Sequence, residues 1–176
     1  MIKYRHTGVL KMKVRDLTLT ALFIALGILL PFITGQLQSI GSMLLPMHLP
    51  VMIGGLILPL GNAAIIGFVT PILRSLLFTM PPLFPKAIAM AFELLTYGVV
   101  ISLVYNKLGK HNLKNIYIAL IIAMIAGRII WGLVTYLLVG IGLEAFISST
   151  IISGIPGIIL QLIFVPFIVR LIEKKL

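Results

Sequence analysis

From Leu17 to Leu73 the chain carries no Lys, Arg, Asp or Glu. That run is nearly three times the roughly 20 apolar residues with which one helix crosses the hydrocarbon core of a bilayer. The composition of the whole chain agrees. Of 176 residues, 60 % are hydrophobic and 10 % charged, where soluble domains carry about 45–50 % and about 25 %. So few charges cannot cover a water-exposed surface of this size. A water-soluble enzyme, a disordered tail and a conventional nucleic-acid binder are excluded; the solvent of this chain is lipid. With no cysteine, disulfides and thiolate metal sites are excluded too.

Breakers divide the chain. Pro31, the stretch Gly35-Gln36-Leu37-Gln38-Ser39 with Pro46, and Pro59-Leu60-Gly61-Asn62 cut the first run into segments at about 15–34, 47–58 and 61–79. The second is short for a crossing. Pro71 kinks the third, which a membrane helix tolerates. Beyond Met80-Pro81-Pro82-Leu83-Phe84-Pro85, further runs cover about 86–105, 115–140 and 150–171. Unpaired backbone groups are costly in lipid, so each run is expected to be helical. A barrel would alternate in polarity, and these runs do not. The expected fold is all-α, with six transmembrane helices forming a single membrane domain over residues 1–176, of which 1–14 are a basic N-terminal segment. That start is basic and then apolar, like a signal peptide, but the apolar run is too long and lacks a nearby cleavage pattern, so it reads as a retained first helix.

The net charge of +10 is not a nucleic-acid signal, because of where it sits. Lys3, Arg5, Lys11, Lys13 and Arg15 precede the first run. Lys107, Lys110 and Lys114 separate the fourth and fifth, and Arg170, Lys174 and Lys175 close the last. The opposite loops, about 35–46, 80–85 and 141–149, hold one charged residue short of the helix that Lys86 opens, namely Glu144. This asymmetry places both termini in the cytoplasm. The polar outer loops can converge on a pocket. No internal repeat supports an inverted-repeat carrier.

Catalytic motifs are lacking. There is no phosphate-cradling loop, no His-Glu-x-x-His and no Gly-x-Ser-x-Gly, and His6, His48 and His111 stand far apart. No enzyme activity, cofactor or metal is expected. What remains are polar residues at membrane depth, which are costly there and so are functional candidates. Lys86, Met90, Glu93 and Tyr97 follow at helical spacing, as do Arg128, Trp131 and Thr135. Gln161 lies near the middle of the sixth run, Arg74 toward the outer end of the third, and His48 opens the second. Each also has a purely structural reading. Glu93 and Arg128 can neutralise each other, Lys86 can snorkel, Gln161 can bridge helices, Trp131 can pack, and His48 can simply start a helix. Arg74, Lys86 and Arg128 face only Glu93 at depth, which leaves positive charge over and favours a small anionic or strongly hydrogen-bonding ligand. Ala21 and Ala25, Gly54-Gly55, and Ala63 with Gly67 are small-residue surfaces that let helices approach closely.

Taken together, the basic start running into RDLTLTALFIALGILLPF, then LPMHLPVMIGGLILPLGNAAIIGFVTPILRSLLFTMPPLFP, AIAMAFELLTYG, AGRIIWG and IPGIILQLIFVPFIV, resemble the substrate-binding S component of an energy-coupling factor (ECF) vitamin transporter across essentially the whole chain. The resemblance implies a six-helix protein that captures a vitamin or precursor from outside a prokaryotic cell. It implies partnership with a transmembrane T component and two ATPases, and inward release by toppling in the bilayer. It implies that Ala21 and Ala25 match the Ala-x-x-x-Ala motif that docks on the T component. It implies a pocket formed by Glu93, Tyr97, Arg128, Trp131 and Gln161, closed from the other side by Gln38, His48 and Arg74, with Lys86 at its rim. The cationic surplus makes pantothenate the first expectation; riboflavin, a pyridoxine and a pyrimidine precursor stay open. The rival readings are a self-sufficient secondary transporter or channel and a structural membrane protein of an envelope assembly.

Overall fold

The computed structural model describes residues 13–35, 45–109, 111–140 and 153–174. The elements are α1 (Val14–Gly35), α2 (His48–Ile57), α3 (Leu60–Phe78), a kinked turn (Leu83–Ala87) that leads into α4 (Ile88–Leu108), α5 (Leu113–Val139) and α6 (Ser153–Glu173). Each falls within a few residues of an apolar run. Stops and starts have local causes. The Asn112 side chain accepts a hydrogen bond from the Lys114 backbone N–H at 3.0 Å and caps α5. Left-handed residues, Thr79 at φ 57° and Gly140 at φ 67°, end α3 and α5.

Five helical segments are long and apolar enough to cross a membrane: Val14–Ile33, Leu60–Phe78, Leu83–Leu108, Leu113–Val139 and Ile155–Ile172. The expected sixth, α2, has 10 residues and a length of about 15 Å, half of a hydrocarbon core. It is the most enclosed element. His48 and the segment Pro50–Leu56 are buried, and α2 packs against α1, α3, α4 and α6.

The contacts fix the relative directions of α1, α3, α4 and α5. Asn62 Nδ2 donates to Thr20 Oγ1 at 2.7 Å and to the Asp16 carbonyl at 3.3 Å. Gly27 abuts Thr70, and Arg74 Nη1 donates to the Ile28 carbonyl at 2.6 Å. Both sequences advance together, so α1 and α3 run parallel. Gly67 meets the backbone of Leu94, and Gly98 meets the Ala63 carbonyl, so α4 runs antiparallel to α3. A Cβ at either glycine would collide with backbone, which cannot move aside. These are the small-residue surfaces at Ala63 and Gly67, and they serve internal packing. Glu93 meets Arg128 and Tyr97 meets Gly127, which turns α5 parallel to α1 and α3. Lys13, Arg15, Lys107 and Lys114 thus gather at one end of the bundle, all exposed. The ends of α1, α3 and α5 and the start of α4 form the other.

Candidate functional site

The site is built on α4. Glu93 and Tyr97 are one turn apart, so they stack on the same face, and each is 1 % exposed. Tyr97 Oη donates to Glu93 Oε1 at 3.0 Å. The ring of Tyr97 can lie against α5 because residue 127 is glycine; a Cβ there would overlap the ring itself. The next residue, Arg128, then places Nη1 3.3 Å from Glu93 Oε1. From α2, His48 brings Nε2 to 3.8 Å from Glu93 Oε2, beyond hydrogen-bond length. Its ring is 5.5 Å from that of Tyr97. Three residues from three helices, His48, Tyr97 and Arg128, therefore meet around the Glu93 carboxylate. A buried carboxylate is tolerated when paired and hydrogen-bonded, and Arg128 and Tyr97 meet that condition.

Some polar atoms stay unsatisfied. Both ring nitrogens of His48 and Nε2 of Gln161 are fully buried with no hydrogen-bond partner among the described residues. Each such group costs about 1–3 kcal/mol, a cost that an arriving ligand could remove. Gln161 is 1 % exposed on α6, which packs against α2 and α5, the helices that carry His48 and Arg128. Beside Arg128, α5 and α6 part to leave a cavity of about 400 Å³, within the range of small-molecule sites.

The other expected residues have different placements. Arg74 is held at the α1–α3 seam: Nε donates to the Met80 carbonyl at 3.1 Å, Nη1 reaches Ile28, and the guanidinium lies 5.0 Å from the centre of the Phe32 ring. Lys86 lies in the first turn after a kink at the extended Phe84 (φ −109°, ψ 133°) and is exposed, whereas Glu93, seven residues further on, is buried. Thr135 Oγ1 donates to the Trp131 carbonyl of its own helix at 2.7 Å, so that hydroxyl is satisfied locally. Trp131 is half-buried. Gln38 lies outside the described residues. Ala21 and Ala25 are exposed on α1.

Of the positive charges read from the sequence, Arg128 is paired with Glu93, Arg74 is turned away to two carbonyls at the α1–α3 seam, and Lys86 is exposed. Sequence reasoning did not single out Gly127, although a glycine beside an intramembrane arginine is a legible sign of close approach. It also passed over Thr20 and Asn62, isolated polar residues in apolar runs that prove to join α1 to α3.

Comparison with known proteins agrees with the architecture. The profile of the family described as ECF transporter, substrate-specific component, matches residues 15–170. No curated protein and no solved structure matches the chain. A match over nearly the full length, on a bundle with five apolar spans, identifies the chain as a multi-pass membrane protein belonging to the substrate-specific components of ECF transporters.

Proposed function

We propose that the chain captures a small vitamin or vitamin precursor at the outer side of a prokaryotic plasma membrane. It serves as the substrate-binding subunit of an importer whose T component and two ATPases supply the energy. The observation that carries this reading is the buried cluster of His48, Glu93, Tyr97 and Arg128, with His48 and Gln161 holding hydrogen-bonding atoms that nothing among the described residues satisfies. A structural protein has no use for that arrangement, and intramembrane polar groups are by default functional. Exposure of Ala21 and Ala25 on α1 supports docking of that helix on the T component.

In this reading both termini are cytoplasmic. Because α1 and α3 run parallel, the chain returns across the bilayer between them. We read the short, enclosed α2 as part of that return and so as the sixth crossing. The basic end then faces the cytoplasm, and the Glu93 cluster lies in the outer half.

The test is uptake in proteoliposomes that contain this chain with its T component and ATPases, using pantothenate, riboflavin, pyridoxine and a hydroxymethylpyrimidine as solutes. ATP-dependent accumulation of one of them, lost in His48→Leu/Gln161→Leu, is expected. Accumulation by this chain without partners, or uptake untouched by that double substitution, would overturn the assignment.

A further inference from the structure

Resting on the reading of the Glu93 cluster as the capture site, we infer that the ligand class is an uncharged, hydrogen-bonding head on an apolar body, the head meeting His48 and Gln161 and the body lying in the α5–α6 groove. Three observations combine. The first is charge. The one carboxylate at the cluster faces the one guanidinium at 3.3 Å, so with a neutral imidazole at His48, 3.8 Å from the same carboxylate, the site has no net charge with which to select an anion. An anionic ligand would compete with Glu93 for Arg128 and leave a buried carboxylate uncompensated. A cation would compete in the opposite sense.

The second is the set of unsatisfied atoms. A neutral imidazole offers one donor and one acceptor, and the Gln161 amide nitrogen offers donors. Both side chains are 1 % exposed, and the nitrogens of both lack partners among the described residues. A ring or amide head with a carbonyl and an N–H edge satisfies them without altering the ion pair. Arg128 can add a donor, since a guanidinium carries five and one contact to Glu93 does not exhaust them.

The third is the groove. Its walls are Ile121, Met124, Ile125 and Ile129 on α5 and Ile158 and Leu162 on α6. Arg128 completes the lining and is the one residue shared between this wall and the Glu93 cluster. From Arg128 the groove follows α5 for two turns back to Ile121, about 10 Å. Ile121, Ile125 and Ile129 are exposed, so the groove opens toward the lipid side, and its walls offer no other polar side chain. It suits the apolar part of a molecule whose polar part is held at Arg128's level.

The experiment uses the full chain in lipid nanodiscs and two matched probe series: 6-alkylnicotinamides, which are neutral, and 6-alkylnicotinates, which are anionic, each with methyl, butyl and octyl chains. Binding is read by calorimetry and by the fluorescence of Trp131, the single tryptophan. The amides are expected to bind more tightly as the chain lengthens, by about tenfold or more from methyl to octyl. Gln161→Leu should weaken every amide by about tenfold, whatever its chain. Ile158→Phe, which fills the groove and adds no second tryptophan, should abolish the dependence on chain length and keep the dependence on Gln161. Tighter binding of the nicotinates, lost in Gln161→Leu, overturns the neutral class while the cluster stands as the capture site. Chain-length dependence that survives Ile158→Phe shows partition into lipid and overturns the groove. Absence of binding by both series overturns the inference and leaves the uptake assay to judge the capture site.

Discussion

The two sides of this bundle are built differently. On the α1–α3–α4 side, helices touch backbone to backbone. Gly67 lies on Leu94 and Gly98 on the Ala63 carbonyl, while Asn62 and Arg74 tie α3 to α1 near its two ends. On the α5–α6 side the helices barely meet among the described residues, and a cavity of about 400 Å³ separates them. Lipid tails are as apolar as leucine, so apolar surface alone does not press membrane helices together; close packing and hydrogen bonds do. The tight side has both. The loose side has bulky Ile and Leu without either. The polar cluster lies between the two, anchored on α4 from the tight side and opened toward α6 on the loose one.

Substitutions can break this contrast. The largest effect is expected from Gly67→Leu or Gly98→Leu, where a side chain meets backbone that cannot move. The protein should fail to elute as a monodisperse species in detergent, whereas Ile125→Leu on the loose side should elute unchanged. Next is Arg128→Met, which strands Glu93 and should cost about 3–5 kcal/mol, seen as a lower midpoint in thermal or denaturant unfolding. Adding Glu93→Gln should recover most of that loss. If the double variant is no more stable than the single one, the ion pair is not what holds α5 to α4. Gly127→Ala should displace the Tyr97 ring and its bond to Glu93, with a loss of about 1–3 kcal/mol and weaker ligand capture. Asn62→Ala should cost about 1 kcal/mol without touching capture. The smallest change in stability, within about 0.5 kcal/mol, is expected for Ala21→Trp on exposed α1. That variant should retain ligand binding yet lose uptake in the assembled transporter.

The helices were legible because the bilayer demands long apolar runs and the chain marks their ends with Pro, Gly and basic residues. The pairing of Glu93 with Tyr97 was legible for a similar reason, since one turn of helix brings side chains four apart together. The destination of Arg74 was not. Its acceptors are the carbonyls of Ile28 and Met80, and every residue has a carbonyl, so no side-chain pattern announces the bond. Lys86 misled for a different reason: it lies in the first turn after the kink at Phe84, so helical spacing to Glu93 does not keep it from the surface. The groove was hidden because Ile121, Ile125 and Ile129 read as ordinary lipid-facing residues. A gap between helices is a property of two surfaces and appears in neither alone.

The cancellation of Glu93 by Arg128 bears on energetics beyond recognition. One elementary charge carried across a bilayer at 100 mV gains or loses about 2.3 kcal/mol. The matched pair at the site, loaded with a neutral passenger, adds none of that charge to the moving body. Occupancy of the site should therefore leave the voltage response of the cycle unchanged, whether the membrane is polarised or collapsed with an ionophore.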